Sequence, residues 1–136
     1  MTDRGPEPSA TEAARWLAKA TDDLAVADLL LANPVGVNWA ACFHAEQAAE
    51  KALKALLVWL GIDFPRTHVL ERIADLLPPE IATTLDRDAL ISLSPWAVAG
   101  RYPEDIADPS DDATTALVNA ARAVVGQAIR FSGGGS

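Results

Sequence analysis

The residues able to do chemistry in this chain gather on one segment, Phe43-His-Ala-Glu-Gln-Ala-Ala-Glu-Lys-Ala-Leu-Lys-Ala-Leu-Leu57. At about 100° per residue, Ala45, Ala48, Ala49, Ala52, Leu53, Leu56, Trp59 and Leu60 share one broad apolar arc. His44, Gln47, Lys51 and Lys54 share the remainder, flanked by Phe43, Leu57 and Val58. A helix wrapped this way lies between other helices, so its polar stripe is expected to face a cleft or a subunit boundary. Lys51, Gln47 and His44, helped by Arg101, are the types a phosphate or base pocket needs. Lysine supplies a point charge and arginine a planar fork. The simpler account from periodicity alone is a solvated face, with Glu50 and Lys54 in the stabilising i,i+4 order.

Other chemistries find less support. Cys42 and His44 are two apart on a helix and point about 200° away from each other, so they cannot share an ion within one chain. The other histidine, His68, lies beyond the next loop, and one Cys with two His makes a poor zinc set. Glu104, Asp105, Asp108, Asp111 and Asp112 could hold a cation, but acidic residues before and in a helix's first turn favour its positive end anyway. No Gly-x-Ser-x-Gly elbow or Gly-rich phosphate loop occurs. Cys42, on the apolar arc, reads as a buried inert thiol. His68, opening a helix, should be biased toward its neutral form and act as a hydrogen-bonding structural residue.

These residues need a scaffold, and the composition is helical. At 136 residues the chain suits one domain with a real core. Half of it is hydrophobic, with Ala and Leu dominant, which favours helices. A net charge of −8 argues against generic adhesion to DNA or anionic lipid. The first residues lack the apolar core of a secretion signal, and the apolar run Ala55–Ile62 is too short to span a bilayer. A cytoplasmic, membrane-free protein is expected, and with one cysteine no internal disulfide.

Along the chain, residues 1–8 read as a flexible tail, 9–131 as one helical domain, and 132–136 as a flexible Gly/Ser tail. The first helix is expected from Ser9 or Thr11 to about Ala32, ending at Asn33-Pro34-Val35-Gly36. The second runs from Asn38 to Leu60 and stops at Gly61. Thr67 caps a short third helix ending before Pro78-Pro79. A weaker helix spans Ile81 to about Ala99, kinked or ended at Pro95. Gly100-Arg-Tyr-Pro103 is extended. The last helix opens at Asp108-Pro109, with Asp as cap and Pro first, and carries Ala113, Leu117, Ala120, Ala121, Val124, Ala128 and Phe131 inward. The fold class is all-α, an antiparallel four-helix up-and-down bundle with an additional short helix.

Taken together, the segment 43–57, Thr67-His68 opening the next helix, and Arg101-Tyr102-Pro103 before the last one resemble the HEPN domain, the higher-eukaryote and prokaryote nucleotide-binding group. The resemblance runs from about Glu12 to Ile129. It implies a helical bundle that forms a homodimer. It also implies a possible partner, a separate minimal nucleotidyltransferase, in a toxin–antitoxin or defence-type pair. Another branch of the family consists of metal-independent ribonucleases with an Arg-x(4–6)-His motif. This chain departs from it: His68 follows Arg66 too closely, and Ile106 stands five residues after Arg101.

The expectation is therefore a non-catalytic subunit that binds a nucleotide or RNA, or docks a partner, without cofactor or metal. Lys51 and Arg101 would contact phosphate, with Gln47, His44, Tyr102 and His68 around them. The alternative is a divergent metal-independent endoribonuclease toxin in which His44 or His68 replaces the missing histidine, since such cleavage needs a group that takes and returns protons.

Overall fold

A computed structural model of the protein describes residues 8–33, 36–98 and 108–133. Its elements in chain order are α1 (Pro8–Ala32), α2 (Asn38–Leu60), α3 (Leu70–Ala74), α4 (Pro79–Ala82), α5 (Arg87–Leu93), a 3₁₀ turn (Ser94–Val98) and α6 (Asp111–Ser132). All regular structure among the described residues is helical.

The three long helices make the core. On α1 the residues Ala13, Leu17, Ala20, Leu24 and Ala27 recur at helical spacing and are all buried. Across from them, α2 buries Ala45, Ala48, Ala49, Ala52, Leu53 and Leu56 completely. Alanine at so many contact positions lets the two helices pack closely as an antiparallel hairpin. Pairing of Asp23 with Lys51 and of Trp16 with Lys54 displays that register. α6 runs alongside α2 in the same direction: Asn38 contacts Asp111, and Cys42 contacts Thr114 one turn on. Asp28 of α1 and Arg122 of α6 close the triangle with a bidentate ion pair.

Chain ends of the helices follow local chemistry. α2 stops at Gly61, whose φ of 71° is the left-handed conformation that glycine adopts without strain. There the Ile62 N–H reaches back to the Leu57 carbonyl at 2.9 Å. The start of α6 lies at Asp111, later than Asp108-Pro109 suggests. Ser110 is the cap because its Oγ accepts from the Ala113 N–H at 3.1 Å, while the Pro109 carbonyl is engaged by Asn38. Thr67 likewise accepts from the Val69 N–H and shapes the loop, and α3 begins only at Leu70.

The fourth main helix expected over residues 81–99 is divided. Asp86 accepts from the Ala89 N–H and caps α5, which separates it from α4. Pro95, lacking an N–H and crowding the preceding turn, falls inside the 3₁₀ turn that replaces further α-helix. Two residues of the expected buried arc, Trp59 and Leu60, are 41 % and 39 % exposed. They occupy the last turn of α2, where Trp59 borders an open groove of about 460 Å³ between α1 and the end of α6. The helices also reach Pro8 and Ser132, each a residue beyond the expected domain limits.

Candidate functional site

The polar stripe of α2 resolves into two clusters of ion pairs, each built around a carboxylate. In the first, Asp23 of α1 lies across from His44 and Lys51. One of its oxygens stands 3.0 Å from His44 Nδ1 and the other accepts from Lys51 Nζ at 2.5 Å. The Asp23 side chain is 14 % exposed, against 31 % for His44 and 27 % for Lys51. A carboxylate partner puts the proton on Nδ1 and leaves Nε2 pointing away from the pair. Phe43 meets the imidazole edge-on at 5.2 Å between ring centres.

Glu50 centres the second cluster. Its Oε2 accepts from Lys54 Nζ at 2.8 Å and its Oε1 from His68 Nδ1 at 2.9 Å. Lys54 is nearly buried, and its ammonium also lies 5.7 Å from the Trp16 ring and 5.6 Å from the Phe64 ring. Those two rings meet edge-on, so α1, α2 and the loop after α2 are tied at one point. His68 is well exposed even though its carboxylate partner is buried.

One turn before Glu50 stands Glu46, with no solvent exposure at all. Gln47 Nε2 donates to its Oε1 at 2.7 Å, and Oε2 has no hydrogen-bond partner. Burial first, and then the adjacent charge of Glu50, push the Glu46 carboxyl up to about 9, so it is a neutral acid at pH 7. Glu50 moves the other way. Burial raises it, but the hydrogen bonds from Lys54 and His68 outweigh that and hold it below the ordinary glutamate value.

The structure thus brings His44 and Lys51 together, sets Gln47 against Glu46, and places His68 with Glu50 and Lys54. Arg101 and Tyr102 lie outside the described residues. Sequence reasoning missed Asp23 and Glu46. Glu46, Glu50 and Lys54 form an i,i+4 ladder that marks them as one line on the helix. Asp23 becomes legible only once the antiparallel register of α1 against α2 is known.

Among the described residues no three His, Cys, Asp or Glu side chains cluster as a metal site, and Glu104 and Asp105 lie outside them. Cys42 is fully buried and contacts Thr114 Oγ1 at 3.8 Å. Burial pushes its thiol up, which keeps it protonated and unreactive. The carboxylate-held imidazoles, each with Nε2 directed away from its partner, can donate to or accept from a ligand. Lys51 keeps ammonium protons beyond the one Asp23 takes. No helix of the described residues is long and apolar enough to cross a membrane.

Comparison with known proteins agrees with this architecture. Two solved structures superpose over most of the chain. TT1696 from Thermus thermophilus has a TM-score of 0.72 at 24 % identity, covering 87 % of this chain and 96 % of that one. ST0689, described as an archaeal HEPN homologue, has a TM-score of 0.66 at 25 % identity, covering 88 % of this chain and 97 % of that one. No curated protein matches. The model of the HEPN domain matches residues 13–129, nearly the whole helical core with its α2 stripe, and the chain belongs to the HEPN domain family.

Proposed function

We propose that this protein is a non-catalytic HEPN subunit whose α2 stripe binds the phosphate of a nucleotide or of a nucleic-acid end. It would present that ligand to a separate minimal nucleotidyltransferase in a toxin–antitoxin or defence-type pair. The observation that carries the reading is Asp23. By holding Lys51 and His44 on its two oxygens, it fixes a cation and an imidazole side by side on a partly exposed helix edge. Preorganised donors bind an anion without the entropy cost of gathering long side chains. Arg101 and Tyr102, named from the sequence for the same pocket, would add the planar fork and an orienting hydroxyl.

The test is titration calorimetry with nucleoside mono- and triphosphates on the full chain. Lys51→Ala should weaken binding about tenfold or more, as loss of one charge-assisted contact does. Unchanged affinity in Lys51→Ala and Arg101→Ala would remove the assignment. Co-purification of a nucleotidyltransferase in near-equal amount from the native host supports the pairing.

A second reading has its own observation. His68 is oriented by a buried, ionised Glu50 with its outer nitrogen exposed, the geometry of a general base. On this reading the chain is a divergent metal-independent endoribonuclease. Growth arrest on expression that His68→Ala abolishes would favour it, and harmless overexpression would count against it.

A further inference from the structure

Gln47 stands in the middle of the α2 stripe, and its partner, unlike those of its neighbours, is an uncharged acid. Its Nε2 donates to Glu46 Oε1 at 2.7 Å, while its Oε1 takes no bond from any described residue. The direction of that contact is set from beneath. Glu46 is fully buried and offers Oε1 to Gln47 as an acceptor, so Oε2, which no donor reaches, is left to carry the acid's proton. Glu46 also shares a hydrogen bond with Glu50, the ionised acceptor of Lys54 and His68. A carboxylate is a stronger acceptor than an amide oxygen, so the proton serves Glu50 and not Gln47.

Gln47 is thereby held with its nitrogen inward, and the planar amide turns Oε1 away from Glu46. A free glutamine shows a ligand either a donor or an acceptor by rotating. This one shows an acceptor. Phe43, Gln47 and Lys51 follow one another at four-residue spacing, so they form a single ridge of α2 with steps of about 6 Å along the axis. All three are half-buried. Phe43 supplies an aromatic ring, the kind of surface on which bases stack, and Lys51 supplies the cation. Ring, fixed acceptor and cation thus succeed one another over roughly the length of one nucleotide.

We infer that Gln47 sets the base specificity of the phosphate site, its Oε1 accepting from the exocyclic amino group of an adenine whose phosphate sits on Lys51. Glu46 is the positioning residue that fixes the amide. A glutamine amide is a common reader of adenine, because its oxygen matches that amino group. A base with a keto oxygen at the same place sets oxygen against oxygen and leaves both without a donor. The inference rests on the phosphate reading of the α2 stripe and adds to it which base the stripe selects.

The test is titration calorimetry of the full chain with ATP and with ITP, which carries a keto oxygen in place of that amino group. ATP is expected to bind about threefold to tenfold more tightly, the worth of one neutral hydrogen bond. Gln47→Met should bring ATP to the level of ITP and leave ITP nearly unchanged. Glu46→Gln keeps the pattern, since its amide donates to Glu50 and its oxygen still accepts from Gln47, so the preference for ATP should persist. Glu46→Met frees Gln47 to turn, and the preference should vanish while ITP affinity and helical content hold. A merely structural role for Glu46 would weaken both nucleotides alike. Equal binding of the two by the wild-type chain, tighter binding of ITP, or a preference that survives Gln47→Met overturns the inference and leaves the phosphate site standing. If neither nucleotide binds, the phosphate site falls and this inference with it.

Discussion

Glu46 and Glu50 stand one turn apart on α2 in opposite protonation states: the first is a buried neutral acid, the second an ionised acceptor for Lys54 and His68. Two carboxylates in one dry cluster cannot both carry charge cheaply, and the hydrogen-bond donors around them decide which one does. Glu50 receives both charge-assisted bonds, so Glu46 keeps its proton.

A pH dependence follows from Glu46. Its folded value of about 9 lies above the unfolded value of 4.5, so the folded state binds more protons between them. Its stabilising contribution is complete below pH 4.5 and is lost as pH rises toward 9, at up to about 1.4 kcal/mol per pH unit. Glu50 has the opposite sign, with stability lost as pH falls through its lowered value. Glu46→Gln should flatten the decline between about pH 5 and 9 and be the more stable protein at about pH 8. Urea denaturation across that range measures both slopes.

Lys54 and Lys51 share the stripe but should respond differently to methionine. Lys54 is nearly buried between Glu50, Trp16 and Phe64, and its removal leaves a buried carboxylate short of a partner. Lys54→Met should cost about 2–4 kcal/mol, whereas Lys51→Met, at a more open pair, should cost about 1 kcal/mol or less. Chemical denaturation of the two variants side by side checks the order. If they cost the same, Lys54 is not the tie between α1 and the loop after α2.

Asp23→Asn should uncouple His44 from Lys51. Asparagine preserves the shape but removes the charge that holds both, so stability should fall by about 1 kcal/mol. Nucleotide affinity should also fall, although Asp23 itself repels phosphate. A gain in affinity would mean that Asp23 only competes with the ligand and does not position the site.

Gly61→Ala should lower stability by about 1 kcal/mol, because φ of 71° places an alanine Cβ against the backbone. Space is not the obstacle, since a Cβ there meets nothing within 4 Å. Thermal unfolding of the variant reads this backbone cost without a packing contribution.

Residue order alone determined much of the fold. Helical period marked α2 from Asn38 to Leu60 with its stop at Gly61, because periodic apolar residues and a left-handed glycine are local signals. The buried state of Cys42 was equally legible, but the core face of α6 only in part: Ala121, Val124 and Ala128 are buried as expected, whereas Ala113 is exposed and Thr114, Val118 and Val125 are buried in its stead. The stripe of His44, Gln47, Lys51 and Lys54 could be drawn as a line on a helix. What the line faces could not be drawn. Lys51 and His44 acquire their partner from Asp23, 28 and 21 residues earlier, only when α1 folds back against α2. His68 finds Glu50 across a loop whose path no periodicity encodes, and Thr67 turns that loop instead of capping α3. Glu46 looks in sequence like an ordinary surface acid. Its proton is retained because the assembled helices exclude water from it and give the hydrogen bonds of Lys54 and His68 to Glu50. Local spacing selects helices and faces, whereas desolvation and charge pairing depend on every element that packs around a residue, and those the tertiary structure alone decides.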